Sequence, residues 1–110
     1  MSRSDNVYLQ DIVESVEIIL SYIENKTEVD FVNDQMLQDA VIRRFEIIGE
    51  AATKISEDIK DKNPGIQWRL MKGMRNKLIH EYYGVSAVTI YATIKLDLPI
   101  LKAQLENLIK

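Results

Sequence analysis

The chain has 110 residues, 46% hydrophobic and 28% charged, with no cysteine, one histidine and a formal net charge of −3. That length suits one domain over residues 1–110, and the missing cysteines with a lone histidine exclude a disulfide framework, a thiolate zinc site and an imidazole metal site within one chain. No apolar run approaches the roughly 20 residues that span a bilayer and the start MSRSDNVYLQ lacks a signal-peptide core, so a soluble, cytoplasmic protein without membrane or cofactor is expected.

Helical periodicity runs through the whole chain, and no stretch alternates as a strand would. Leu9, Ile12, Val13, Val16, Leu20 and Ile23 recur at three- and four-residue spacing, which predicts a first helix over about residues 5–25. Ser2-Arg3-Ser4-Asp5 stands ahead of it as a candidate capping box. NKTEVDFVND then reads as a turn or one short helical piece. Asn33 or Asp34 can cap a second long helix whose core stripe is Leu37, Ala40, Val41, Phe45, Ile48, Ala52, Ile55 and Ile59. It must end by Asn63-Pro64-Gly65, about seven turns on.

A third helical region is predicted from about 67 to 83, with Gly73 as a possible interruption and Gly84 as its stop. Ser86 can cap a fourth helix carrying Val88, Tyr91, Ile94, Leu98, Leu101, Leu105 and Leu108, kinked or divided at Pro99. The fold class is therefore all-α, a four-helix bundle with short extra helical segments. Gly49 is costly in mid-helix, by up to about 1 kcal/mol relative to alanine, and with Ala51 and Ala52 it predicts close approach of another helix. Trp68, at the start of the third region, is expected to anchor the core, with stacking on an RNA base as the alternative.

Charge is divided along the chain. Residues 1–40 carry two basic side chains against nine acidic ones, residues 41–80 carry nine against five, and residues 81–110 carry three of each. The basic middle can draw a polyanion to one face although the whole protein is acidic, because exposed charges more than about 10 Å apart are largely screened at cellular salt.

That basic middle contains RNKLIHEYY, residues 75–83, with an arginine, the only histidine and two tyrosines within nine positions. At about 100° per residue Arg75, Ile79 and Tyr82 share one helical stripe, and Asn76, His80 and Tyr83 share a second. Arg75 and His80 leave a regular helix about 140° apart, so within one chain they converge only through a long arginine reach or a distorted turn. Two copies packing this helix face to face can line one cleft with both residues of both chains. Such a cleft suits metal-free RNA cleavage. That reaction needs a base for the 2′-hydroxyl proton, an acid for the leaving 5′-oxygen and a cation for the charge on phosphorus. Histidine, with an ordinary pKa of about 6.5, fits the two proton tasks, and the planar fork of arginine fits phosphate. A bundle helix also accommodates a lone surface histidine, an ion-paired arginine and core tyrosines with no chemistry at all.

R-N-K-L-I-H-E-Y, Arg75 to Tyr82, resembles the R-x-x-x-x-H-x-Y motif of the HepT family of toxins in the HEPN superfamily, including the asparagine after the arginine. The segments FEIIGEAA at 45–52, NPGIQW at 63–68 and DLPIL at 97–101 are similar to the family's corresponding stretches, so the resemblance covers nearly the whole chain. It implies a HEPN-type helical bundle acting as a homodimer, a metal-independent endoribonuclease and the toxin of a type VII-like toxin-antitoxin system. Arg75 and His80 would be the catalytic pair and Asn76 would help orient them. It also implies a partner, a minimal nucleotidyltransferase antitoxin that transfers AMP from ATP to Tyr82. AMP there would place phosphate on the stripe of Arg75, where it could occupy the arginine's phosphate site and exclude RNA. Glu50 has two readings, an exposed carboxylate or a supporting partner of the Arg75/His80 helix. Lys72 and Lys77 flank the motif as phosphate-binding candidates or as plain solvated lysines. The alternative for the whole chain is a noncatalytic helical module that binds a nucleotidyltransferase or nucleotides.

Overall fold

In the computed structural model, which describes residues 3–73 and 86–109, every regular element is a helix. In chain order these are α1 (Arg3–Tyr22), α2 (Glu28–Val32), α3 (Gln35–Lys54), α4 (Glu57–Lys62), α5 (described over 68–73), α6 (Ala87–Leu96) and α7 (Leu98–Ile109). The all-α expectation holds. No helix among the described residues is long and apolar enough to cross a membrane.

The core is built by α1 lying along α3, with α7 on α1, α6 on α7, and α2 bridging α3 and α6. Most of the predicted stripes face inward: Leu9, Ile12 and Val16 of α1 meet Val41, Phe45, Ile48 and Ala52 of α3, and Ile94, Leu98, Leu101 and Leu105 join them from α6 and α7, whereas Ile19 takes the core place expected of the partly buried Leu20, and Val88 is exposed. Each such buried valine, leucine, isoleucine or phenylalanine contributes roughly 1.5–3 kcal/mol by leaving water. Gly49 is buried beside Ala51 and Ala52 on α3, the helix that α1 packs along.

Helix ends depart from the sequence reading in two places and agree with it in a third. The first helix stops at Tyr22 instead of 25, because Lys26 N–H turns back to the Ile23 carbonyl and Asn25 takes φ 62°, a left-handed conformation that asparagine tolerates. The second helix is divided. Ile55 is extended, and Ser56 starts α4 as its N-cap, its hydroxyl accepting from Ile59 N–H. What fixes the break lies 51 residues away: the buried Asp5 carboxylate accepts Ser56 N–H at 2.8 Å on one oxygen and the Ser56 hydroxyl at 2.8 Å on the other. The fourth helix is divided at Asp97, so that Pro99 falls in the opening turn of α7, where a missing N–H is harmless.

The Asp5 clamp makes a prediction. Asp5→Ala leaves two part-buried donors of Ser56 without their acceptor, and each unsatisfied group costs about 1–3 kcal/mol. A loss of about 2–4 kcal/mol is expected in urea denaturation. A loss within experimental error of zero would show that solvent replaces the clamp.

The short α2 is held by its caps. Thr27 accepts from Asp30 N–H and the Asp30 carboxylate accepts from Thr27 N–H at 2.9 Å, a reciprocal capping box. The Thr27 backbone N–H first, then the Thr27 hydroxyl, with Lys26 nearby, hold the Asp30 carboxyl below the usual aspartate range. Because the folded value lies below the unfolded one, the stabilisation is complete above the ordinary aspartate pKa and is lost as pH falls through the folded value. Carboxyl-carbon NMR titration is expected to show Asp30 protonating below the ordinary aspartate value on acidification. Titration at the ordinary value would contradict the capping box in solution.

Candidate functional site

Arg75, Asn76, Lys77, His80, Tyr82 and Tyr83 lie outside the described residues, so the sequence expectations placed on them are carried forward as expectations. The structure does show how the chain is delivered to that motif. Residues 63–67 follow α4 and are tied down at both sides: the Asn63 side chain donates to the Ile59 carbonyl, and Gln104 of α7 donates to the Gly65 carbonyl. Trp68 then enters α5 with its ring 9% exposed and its indole N–H on the Asn63 carbonyl at 3.0 Å. It is a core anchor, as the sequence suggested, and the base-stacking alternative is set aside because its face is packed and its one donor is taken. Met71, one turn on, is buried as well, while Lys72 is exposed. The last described turn before the motif is thus fixed on its inner side and presents a lysine outward.

Beside α5 is an apolar cavity of about 120 Å³ lined by Phe45, Ile48, Leu70, Met71, Leu98 and Leu101. It contains no titratable group suited to catalysis apart from Asp97 at its lip. A second, more open depression of about 290 Å³ runs between α1 and α3, lined by Tyr8, Asp11, Arg43, Glu46, Glu50 and Lys54. Here Lys54 Nζ stands 5.7 Å from the centre of the Tyr8 ring, and Arg43 pairs with Glu46 at 3.4 Å. Glu50 is exposed at this depression, the turn of α3 before its C-terminus, and its carbonyl accepts the Thr53 hydroxyl. The sequence reading left Glu50 as either an exposed carboxylate or a support for the motif helix. Its exposure is now established, and its support role stays a proposal. Sequence reasoning did not bring Tyr8, Arg43 and Lys54 together, because they sit on two helices and no periodicity links them.

Among the described residues, no group of three or more His, Cys, Asp or Glu side chains stands close enough to hold a metal ion. Residues 12–108 match the ribonuclease HepT-like family. The chain belongs to that family. The HepT-like match runs from Ile12 within α1 through α2–α6 and the whole 75–82 motif to the penultimate residue of α7, and relatives extend it to the full length. A protein named "Probable ribonuclease HepT" from Thermococcus cleftensis is 46% identical over 110 residues, covering all of both chains. A "Putative RNase" from Methanocaldococcus jannaschii is 39% identical over 98% of this chain and 89% of its own. Another "Putative RNase", from Caldanaerobacter subterraneus subsp. tengcongensis, is 35% identical over 98% of this chain and 96% of its own. No solved structure matches at comparable strength. The HEPN-type helical fold expected from the motif is thereby that of the family.

Proposed function

We propose that this chain is a single-domain, metal-independent endoribonuclease of the HepT type, working as a homodimer and serving as the toxin of a toxin-antitoxin pair. The observation that carries the reading is R-N-K-L-I-H-E-Y at 75–82 within a chain that matches the ribonuclease HepT-like family over residues 12–108. The relatives' names assign them ribonuclease activity, and the same enzyme class is proposed for this chain.

In the proposed reaction the 2′-oxygen of a ribose forms a bond to the adjacent phosphorus and the bond from phosphorus to the 5′-oxygen breaks. One His80 removes the 2′-hydroxyl proton, and the His80 of the second copy protonates the departing 5′-oxygen, leaving a 2′,3′-cyclic phosphate and a 5′-hydroxyl. Arg75 stabilises the charge gathered on the phosphoryl oxygens, and Asn76 orients the pair. Lys72, exposed and three residues before Arg75 in the sequence, and Lys77 guide the RNA backbone. Glu50 supports the motif helix.

Neutralisation is assigned to a minimal nucleotidyltransferase encoded with the toxin. The Tyr82 oxygen attacks the α-phosphorus of ATP, pyrophosphate leaves, and the AMP so attached competes with RNA for Arg75. Sedimentation at micromolar concentration is expected to give a dimer. A monomer there would remove the shared cleft.

The test of the enzyme reading is RNA degradation by protein produced without any nucleotidyltransferase, with intact mass confirming an unmodified Tyr82. Degradation is expected. Silence from unmodified protein would favour the noncatalytic module that binds a nucleotidyltransferase or nucleotides.

A further inference from the structure

The acidity of the first forty residues is not used by the proposed RNA cleavage, and it coincides with exposed apolar side chains around the corner between α2 and α3. Val29 is 67% exposed, Val32 41% and Met36 84%. Val29 and Val32 are neighbours at i, i+3 on α2, and Met36 follows four residues after Val32 in the first turn of α3. Carboxylates are interleaved with them at helical spacing: Glu28 is at i, i+4 to Val32, Asp39 is at i, i+3 to Met36, and Asp30 adjoins Val29. All three acids are exposed, and Lys26 is the only basic residue between positions 4 and 42.

This corner is a built platform. Phe31 is fully buried and meets the Tyr91 ring at 5.8 Å, the Tyr91 hydroxyl donates to the Lys26 carbonyl, and the Gln38 side chain donates to the Phe31 and Val32 carbonyls. With the capping box at its start, α2 holds its valines outward in a fixed arrangement that a partner need not order. Methionine, flexible and polarizable, suits such a contact.

We propose that the surface of Val29, Val32 and Met36 docks a basic amphipathic segment of a partner protein. The acidic rim repels both RNA and anionic lipid, which leaves a cationic polypeptide with an apolar stripe as the complementary class. The proposal does not depend on the ribonuclease reading.

The experiment is fluorescence anisotropy of a labelled, short amphipathic peptide of leucine and lysine titrated with the full chain, compared with Val29→Ser/Met36→Ser. Both substitutions are at exposed positions and keep every charge, so the fold, checked by circular dichroism, and RNA cleavage are expected to be unchanged. Saturable binding is expected, weakened at least tenfold in the double variant and absent for the peptide with glutamate in place of lysine. Equal binding by the variant would reduce the contact to general electrostatics and overturn the proposal. So would direct binding of labelled single-stranded RNA or anionic vesicles to the chain that the double variant abolishes. Concentration-dependent self-association in sedimentation that the double variant abolishes would assign the surface to a second copy and overturn it as well.

Discussion

His80→Ala is expected to lower RNA cleavage by about 10²–10⁴-fold while leaving the helical fold intact. The size follows from what is removed. His80 is the only histidine in the chain, and in a symmetric dimer one substitution deletes both the base and the acid. No other residue type in the 75–83 motif has an ordinary pKa near neutrality, since those of arginine, lysine and tyrosine lie well above it and that of glutamate well below. Arg75→Lys makes the companion variant: it keeps the charge but loses the planar fork, and a smaller loss of rate is expected than for His80→Ala. Initial rates on one RNA, with circular dichroism spectra and thermal midpoints of each variant, check both. Undiminished cleavage by His80→Ala would remove histidine from the reaction.

Phe31→Ala should produce the largest loss of stability of any single change in α2, about 3–5 kcal/mol. The ring is fully buried, so its removal leaves a cavity and forfeits the contact with Tyr91. A five-residue helix has no stability of its own in water, since nucleation is unfavourable and propagation is cut short. α2 therefore exists because Phe31 docks it and its caps close it. Domains of this size are stable by about 5–15 kcal/mol, so the expected loss is a large share of the total and should lower the thermal midpoint by roughly 10 °C or more. Urea denaturation with an unchanged slope would confirm it. A loss below about 1 kcal/mol would mean that the site collapses around the missing ring.

The helices were legible wherever one apolar stripe met one core. Leu9, Ile12 and Val16 on α1, and Val41, Phe45, Ile48 and Ala52 on α3, are at the spacings that periodicity requires, and all are buried, although Ile19 fills the core place that the stripe gave to Leu20. Local turn chemistry was legible too, as the Ser86 cap and the division before Pro99 show. The break at Ile55–Ser56 was missed because the apolar stripe continues through it, Ile55 and Ile59 both being buried. Its signal was present in Ser56 followed by Glu57 and Asp58, an N-cap with acidic residues in the first turn. The bond from Asp5 that enforces it joins residues 51 apart, and no local pattern carries that. For the site, Arg75 and His80 were legible as letters of a motif, and the family match agrees with the family those letters indicated. The depression where Glu50 meets Tyr8, Arg43 and Lys54 was not legible, because it arises only when α1 and α3 pack.

The most direct test of metal-free cleavage is the chemistry of the RNA ends produced in excess EDTA by unmodified wild-type protein. A HepT-type reaction in which the RNA supplies its own nucleophile predicts undiminished cleavage and fragments ending in 2′,3′-cyclic phosphate. Cleavage that ceases in EDTA, or fragments ending in a 3′-hydroxyl, would contradict it.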